Sequence, residues 1–366
     1  MDNRYFTKKV VEWYLQHKRE LPWRETKDPY KIWLSEVILQ QTRVEQGLPY
    51  YERFIEHFPE ITDLAEASQD KILHLWQGLG YYSRARNLHS AAKQIINEYN
   101  GQFPDDFQQI RSLKGIGDYT AAAIASFAFD LPHAVVDGNV YRFLSRLFGI
   151  HTPIDSSLGK KEFALLADKL LDKKHPARHN QAMMEMGATT CKPVNPLCIE
   201  CPFAGNCVAY NKGVINQLPV KEKKLKVRIR YFNYLIIHDS SSVVISSRKE
   251  KDIWQGLFEF PLIESDFDLQ TTDLLNNKSF LDLTKGKVQL ENSSDLIKHL
   301  LSHQTLFTRF RWLKVKSLSV YKKNSDFKII PFDDLKHFGM PQLIVKYLDL
   351  QLDRNLTQRI RGAEKA

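Results

Sequence analysis

Residues 113–139 read LKGIGDYTAAAIASFAFDLPHAVVDGN. Gly115 and Gly117 bracket Ile116, which predicts a turn too tight for side chains. The alanine-rich apolar run after it predicts a buried helix. A Gly-x-Gly turn that opens a helix presents backbone N–H groups at the helix's positive end. That is a place for a phosphate, and Lys114 adds a charge beside it. Further on, Asp137 sits in Val-Val-Asp-Gly-Asn, where the chain leaves apolar residues for a turn. One unit therefore pairs a phosphate grip with a carboxylate at the end of an apolar segment. An ordinary helix–turn–helix with a capping aspartate reads the local sequence equally well, because a lone Gly-x-Gly is a weak signal.

Upstream, Phe6, Val10, Trp13 and His17 recur at helical spacing and predict an amphipathic opening helix. Leu21-Pro22-Trp23-Arg24 breaks it, as a packed loop or as a stacking and phosphate pair. A second helix is expected around IWLSEVILQQTRVEQ, residues 32–46. Its Glu36 falls among the apolar residues Trp33, Val37 and Ile38, with Gln40 and Arg43 further along the same side. Most helical glutamates are simply solvated. The amides of Gln40 and Gln41 are suited to base edges or to the gap left by an extruded base. Residues 68–99 predict two helices, capped at Ser68 and joined by Gly78-Leu79-Gly80-Tyr81-Tyr82. Tyrosines next to Arg84 and Arg86 suit nucleic-acid stacking, or the rings pack inward.

Downstream, helices are expected near 160–171 and 178–190, so the first 210 or so residues form an all-α domain. All four cysteines then fall together as C-x6-C-x2-C-x5-C: Cys191, Cys198, Cys201 and Cys207. Four thiolates this close should share one ion or cluster. Zinc remains open, although its usual pair of C-x2-C knuckles is reduced here to one, and the wide outer spacings suit a loop around a cubane. Past Asn211 a lysine- and arginine-rich stretch reads as an exposed basic linker. Strand-like runs follow at 231–238, 242–247, 305–315 and 327–331, with a closing helix at 343–350. That is an α+β second domain.

Composition agrees with a globular two-domain chain: 366 residues, 43% hydrophobic and 26% charged. A net charge of +9 suits a polyanion partner without demanding one. The N-terminus lacks a signal-peptide core and no run approaches membrane-spanning length, so a cytoplasmic protein without membrane contact and without disulfides is expected.

These motifs together resemble a family. LPWR at 21–24, SEVILQQTRV at 35–44, GLGYYSRARNL at 78–88, LKGIGDYTA at 113–121, VDGNVYR at 136–142 and the cysteine loop resemble the helix–hairpin–helix DNA glycosylases, specifically the MutY-type adenine DNA glycosylases. WQGLFEFP at 254–261 and HLLSH at 299–303 resemble that family's C-terminal Nudix-like domain, here without the hydrolase box of paired glutamates. The resemblance implies a glycosylase domain at 1–215, a linker at 216–228, a lesion-recognition domain at 229–351 and a tail at 352–366. It also implies one [4Fe-4S] cluster on the four cysteines, and a monomer acting on double-stranded DNA that carries adenine opposite 8-oxoguanine.

Site roles carry over position by position. Glu36 matches the acid that protonates the departing adenine, and Asp137 the carboxylate that stabilises the sugar cation. Tyr119 matches a hydrogen-bond partner of that acid, and Asn139 a polar residue near the sugar. Leu21, Trp23, Arg24 and Gln181 match the adenine pocket. Gln41 and Tyr81 match wedges beside the flipped nucleotide. Leu301-Ser302-His303 stands where the family has Phe-Ser-His, so Ser302 and His303 are the expected readers of 8-oxoguanine. The endonuclease III-like relatives carry a lysine at position 119, whose amine forms a Schiff base and cleaves the strand. Tyr119 points instead to a monofunctional enzyme. The other readings are such a lyase, or a DNA-binding module with no need of Glu36 or Asp137.

Overall fold

The computed structural model describes residues 2–222, 227–285 and 288–351. Its contacts divide the chain into Met1–Glu66 with Asn87–Lys224, and Ala67–Arg86 with Leu225–Ala366. Residues 67–86 thus belong with the C-terminal half, although a single early domain running to 215 was expected to hold them.

Among its described residues the first unit is helical. Helix α1 (Asn3–His17) buries Phe6, Val10, Trp13 and Tyr14. The side chain of Asp28 caps α2 (Pro29–Leu39), accepting from the amides of Tyr30 and Lys31, and Pro29 occupies the first turn, where no donor is needed. Helix α2 does not run on to residue 46. It ends at Leu39, Gln41 takes a left-handed φ of 56°, and α3 (Val44–His57) starts afresh. The run Gln40–Arg43 has no apolar side chain to bury, so nothing holds it helical, and it becomes a loop tip. Helix α3 then closes on α2 at Gly47, where a Cβ would lie 2.7 Å from Leu39 Cδ2.

Helices α4 (Ile61–Glu66) and, from Asn87 on, α6 (Ser83–Tyr99) follow, while α5 (Gln69–Leu75), capped by Ser68 as its sequence implied, and the first turn of α6 belong to the second unit. Helices α7 (Phe107–Ser112) and α8 (Asp118–Phe129) form the hairpin around Gly115-Ile116-Gly117. The alanine-rich α8 is buried from Thr120 to Phe127, and Ala122, Ala123 and Phe127 share a core with Ile32 of α2. This packing sets Tyr119 beside Glu36. Helices α9 (Gly138–Phe148), α10 (Ser157–Leu170) and α11 (Pro176–Glu185) enclose the other core with α1, and α11 continues into a wider turn at Met186–Thr190. The short α12 (Val208–Asn211) follows the cysteine loop.

Part of the expected exposed linker is packed. Leu218 is buried, Ile154 N–H donates to Val220 O at 3.0 Å, and Glu222 N–H donates to Asp155 Oδ1 at 3.0 Å. Residues 223–226 and the expected tail at 352–366 lie outside the described residues.

The C-terminal half of the second unit is one mixed sheet. Its strands are β1 (Arg228–His238), β2 (Ser242–Ser247), β3 (Phe258–Glu259), β4 (Leu262–Ser265), β5 (Gln289–Ser293), β6 (Ile297–Leu300), β7 (Gln304–Lys314) and β8 (Phe327–Pro331). The long strands β1 and β7 run parallel, from Arg228 opposite Gln304 to His238 opposite Lys314. The main path is β3-β2-β1-β7-β5, and β4, β6 and β8 pair with β1, β7 and β2. Helices α13 (Thr271–Leu275) and α14 (Lys278–Thr284) close a core with Leu235, Ile237 and Leu313. From the helix at 342–351, Tyr347 stacks on Phe310 with ring centres 3.8 Å apart. Among the described residues no helix is long and apolar enough to cross a membrane.

Candidate active site and nucleic-acid contacts

Glu36 sits mid-way along α2, where Ile32 to Ile38 are all buried, and is itself only 7% exposed. Burial strips water from the carboxylate and lifts its pKa to about 7. The hydrogen bond from Tyr119 opposes the rise, the charge of Asp137 adds to it and that of Arg24 offsets it. Tyr119 OH donates to Glu36 Oε2 at 2.7 Å. Burial, with the carboxyls of Glu36 and Asp137 nearby, raises the phenol well above 10, so the hydroxyl keeps its proton and stays a donor.

Asp137 is the N-cap of α9, so the capping reading of the sequence is correct as far as it goes. Oδ1 accepts from the amides of Asn139 and Val140 at 2.9 and 2.7 Å, and Oδ2 from Asn139 Nδ2 at 2.6 Å. Burial pushes the carboxyl above its ordinary 3.8, while these bonds and the charge of Arg142 pull it down. Asn139 is oriented in turn: Arg142 Nη2 donates to its Oδ1 at 2.8 Å. Arg142 also donates to Gly187 O and to Cys191 O, both at 2.7 Å. The hydrogen-bonded chain therefore runs from Asp137 through Asn139 and Arg142 to the first cysteine. Gly187 permits the approach, because a Cβ there would lie 2.5 Å from Asn139 O.

A second buried cluster fixes Arg24. Its guanidinium donates to Gln181 Oε1 at 3.1 Å, to Arg19 O at 2.9 Å and to Glu185 Oε2 at 2.7 Å. Glu185 is fully buried. Burial works to raise its pKa, but the hydrogen bonds from Arg19 and Arg24 overcome that and hold it at about 2. Leu21 and Trp23 are buried nearby in sequence, with Trp23 edge-on to Tyr51 at 5.1 Å. Sequence reading missed Glu185, Arg19 and Arg142. Glu185 lies one helical turn beyond Gln181 and Arg142 one turn beyond Asn139, which are the spacings that share a helix face.

At the hairpin, only Gly115 meets a steric demand. It has a φ of 79°, and a Cβ would reach to 2.5 Å from Asn87 Cβ. Gly117 caps α8 without a side chain at a φ of −98°, and a Cβ there would meet nothing within 4 Å. The expectation of a turn too tight for side chains at both glycines is corrected at Gly117. The backbone at Gly117 is exposed, and no side chain caps the start of α8 there. Lys114 is exposed as well.

Gln41 and Tyr81 are exposed on loop tips, and both are non-glycine residues with left-handed φ, 56° and 49°. The arginines beside Tyr81 turn inward rather than outward. Arg84 is buried over the Trp76 ring and donates to Gly80 O at 3.2 Å. Arg86 donates to Gln255 O at 2.6 Å. Leu301-Ser302-His303 is the tip between β6 and β7, with Ser302 and His303 exposed. The Tyr81 hydroxyl hydrogen-bonds to Ser302 Oγ, so the expected wedge and one expected lesion reader meet in the second unit.

All four cysteines are free thiols lining one cavity, with Phe143, Leu147, Leu197 and Phe203 around them. Arg146 Nη1 lies 3.6 Å from Cys191 Sγ. Among the described residues, no three His, Cys, Asp or Glu donors are grouped to hold a single ion.

Residues 34–167 match the model of the HhH-GPD superfamily of base excision DNA repair proteins, and residues 233–350 match a NUDIX domain. An adenine DNA glycosylase of Buchnera aphidicola subsp. Baizongia pistaciae is 33% identical over 346 residues, 94% of this chain and 95% of its own. The chain belongs to the adenine DNA glycosylase family. The Mus musculus adenine DNA glycosylase is 42% identical over 226 residues, covering 58% of this chain and 44% of its own. Among solved structures, a thermostable thymine-DNA glycosylase matches with TM-score 0.53 and 28% identity, over 57% of this chain and 97% of its own. A trapped endonuclease III–DNA covalent intermediate matches with TM-score 0.51 at 24% identity, over 58% of this chain and 99% of its own, and shows the shared fold. As a member of the adenine DNA glycosylase family, this chain is a base-excision repair enzyme and a hydrolase of N-glycosyl bonds in DNA.

Proposed function

We propose that the enzyme removes adenine paired with 8-oxoguanine in double-stranded DNA, as a monomer working in the cytoplasm, and leaves an abasic site without cutting the strand. The observation that carries the reading is the Glu36–Tyr119 pair: a carboxyl buried on α2, lifted to about 7 and held from one side by a phenol. Tyr119 occupies Oε2 and leaves Oε1 to deliver the proton. Adenine is a poor leaving group as an anion, so protonation by a neutral acid must accompany departure. Asp137, held on both oxygens, faces the cation left on the sugar. The rigid pair Arg24 and Gln181, with Leu21 and Trp23, forms the pocket for the base. Gly115, Gly117 and Lys114 grip the backbone, Gln41 and Tyr81 wedge beside the flipped nucleotide, and Ser302 and His303 read the oxidised base. No amine stands at position 119, which favours a monofunctional enzyme.

The four cysteines suit a [4Fe-4S] cluster, because all four line one largely apolar cavity. Bound there, the cluster supplies structural bracing to the loop whose Cys191 carbonyl holds Arg142.

The test is incubation with duplexes carrying adenine opposite 8-oxoguanine, guanine or thymine, with and without later alkali. Strand breaks that need alkali, fastest opposite 8-oxoguanine, are expected. Equal cleavage without alkali would overturn the monofunctional reading, and equal rates for all three partners the lesion preference.

A further inference from the structure

The loop carrying Tyr81 is gripped on both sides by turns from the C-terminal half. Just before it, Gln77 Oε1 accepts from the Met340 amide at 2.9 Å. Just after it, Arg86 donates to Gln255 O at 2.6 Å. Both grips rest on close glycine approaches. A Cβ on Gly256 would lie 2.9 Å from Leu73 Cδ1, and one on Gly339 would meet the His74 backbone at 3.1 and 3.2 Å. The turn holding Gln255 is itself anchored. Asp252 at its start accepts from Arg230 at 2.8 Å and from Arg248 at 2.6 Å, and Arg248 reaches on to Glu259 at 2.9 Å. Trp254 within it is buried at a left-handed φ of 61°, a conformation that only a firm surround maintains.

The loop has internal braces as well. Trp76 Nε1 donates to Gly80 O at 2.9 Å and Gly78 N–H to the Tyr82 hydroxyl at 3.3 Å. These fix its shape. The clamps at Gln77 and Arg86 fix where that shape is held relative to the β6–β7 tip bearing Ser302.

We infer that Arg86 and Gln77 are positioning residues that hold the Tyr81 wedge in register with the Ser302 tip, so that sensing the base opposite adenine and prising open the stack are one coupled event. This rests on the proposed roles of Tyr81 and Ser302. It places specificity for the opposite base partly in residues that touch neither base. Loosening either clamp uncouples the two acts. Excision opposite 8-oxoguanine then slows, while excision opposite guanine, which gains less from the reader, changes little.

The experiment uses the full-length protein and three variants: Arg86→Met, Arg86→Lys and Gly339→Ala. Single-turnover rates are measured for adenine opposite 8-oxoguanine and opposite guanine with the same preparation, so the fraction of active enzyme cancels in the ratio. Arg86→Met removes the donor to Gln255 O, and Gly339→Ala pushes on α5 without removing any hydrogen-bonding group. Both should compress the ratio by about fivefold or more, the low end of coupling between two sites. Arg86→Lys keeps a donor and should recover much of it. A merely structural role would lower both rates together and leave the ratio alone. A wild type that discriminates, with ratios unchanged within about twofold in Arg86→Met and Gly339→Ala, overturns the clamp. A wild type that does not discriminate overturns the lesion reading first, and the clamp with it.

Discussion

Replacing Glu36 by Gln takes away one proton and little else. The amide has the length of the carboxyl, and its carbonyl still accepts from Tyr119, so α2 and α8 keep their contact. The magnitude follows from the burial. At 7% exposure, little bulk water reaches the carboxyl to act as substitute acid. With the pKa near 7, about half of the wild-type molecules carry the proton at pH 7 and about nine-tenths at pH 6. General acid help is commonly worth about 10² to 10⁴ in rate, and a leaving group that cannot depart as an anion needs the upper part of that range. A loss of at least about 10³ is expected, which is about 4 kcal/mol of barrier. The assay is single-turnover release of adenine at saturating enzyme, with binding measured separately on the same duplex. Binding should survive, since the hairpin glycines are untouched. The pH profile supplies an independent arm. With Glu36 as the proposed acid, its protonated form is the active one, so wild-type activity should be full below about 7 and fall by about tenfold per unit above it. If Asp137 must be ionised to face the sugar cation, as proposed, a low-pH limb should follow, shifted upward because burial raises its carboxyl. A Glu36→Gln enzyme within tenfold of wild type, or one that keeps the upper limb, would refute the assignment of the acid.

Asp137→Asn should cost about 10² to 10³ in the same assay. The new amide N–H would point at Asn139 Nδ2, and Asn139 cannot flip to meet it without giving up its acceptor to Arg142, so wild-type rates would show that the charge is not used. Tyr119→Lys sets an amine beside the acid and should yield enzyme–DNA adduct on borohydride treatment, where wild type yields none; a variant that never traps DNA would count against the reading of position 119. Gly187→Ala forces its Cβ against Asn139 backbone and should lower stability by about 1–3 kcal/mol, seen as a fall of several degrees in melting temperature with slower excision, whereas an unchanged melting curve would contradict the contact. The purified protein should be brown with about four irons per chain, and a colourless active protein carrying one zinc would end the cluster assignment.

What was legible in the sequence was mostly local. The hairpin glycines, the cap at Asp137 and the cysteine spacing each fit within a short window, so the pattern carried them. The Glu36–Tyr119 bond joins residues 83 apart in sequence, and no periodicity predicts it; it came from resemblance to a family. Position also misled. Gln40–Arg43 looked like a helix face because the apolar residues before it continue the helical phase, but a face with nothing to bury does not stay helical. The stretch before residue 223 looked like a solvated linker because it is rich in lysine, while Leu218 and the backbone of Val220 were what anchored it. Arg84 and Arg86 looked like DNA contacts by composition, and the fold uses both to build and hold a loop.

Residues 67–86 lie early in the chain yet share contacts with its far end. The chain therefore crosses between its two units three times, and no single cut separates them. A gene fragment ending near residue 224 does not yield the first unit alone. It carries a stranded piece of the second, with the turns at Gln255 and Met340 gone and the surfaces that met Gly256 and Gly339 laid bare. Such a fragment loses the β6–β7 tip, proposed here as the lesion reader, and the support of the Tyr81 loop at one stroke. A fall in its activity reports the sum of the two, and point substitutions in the intact chain are what separate them.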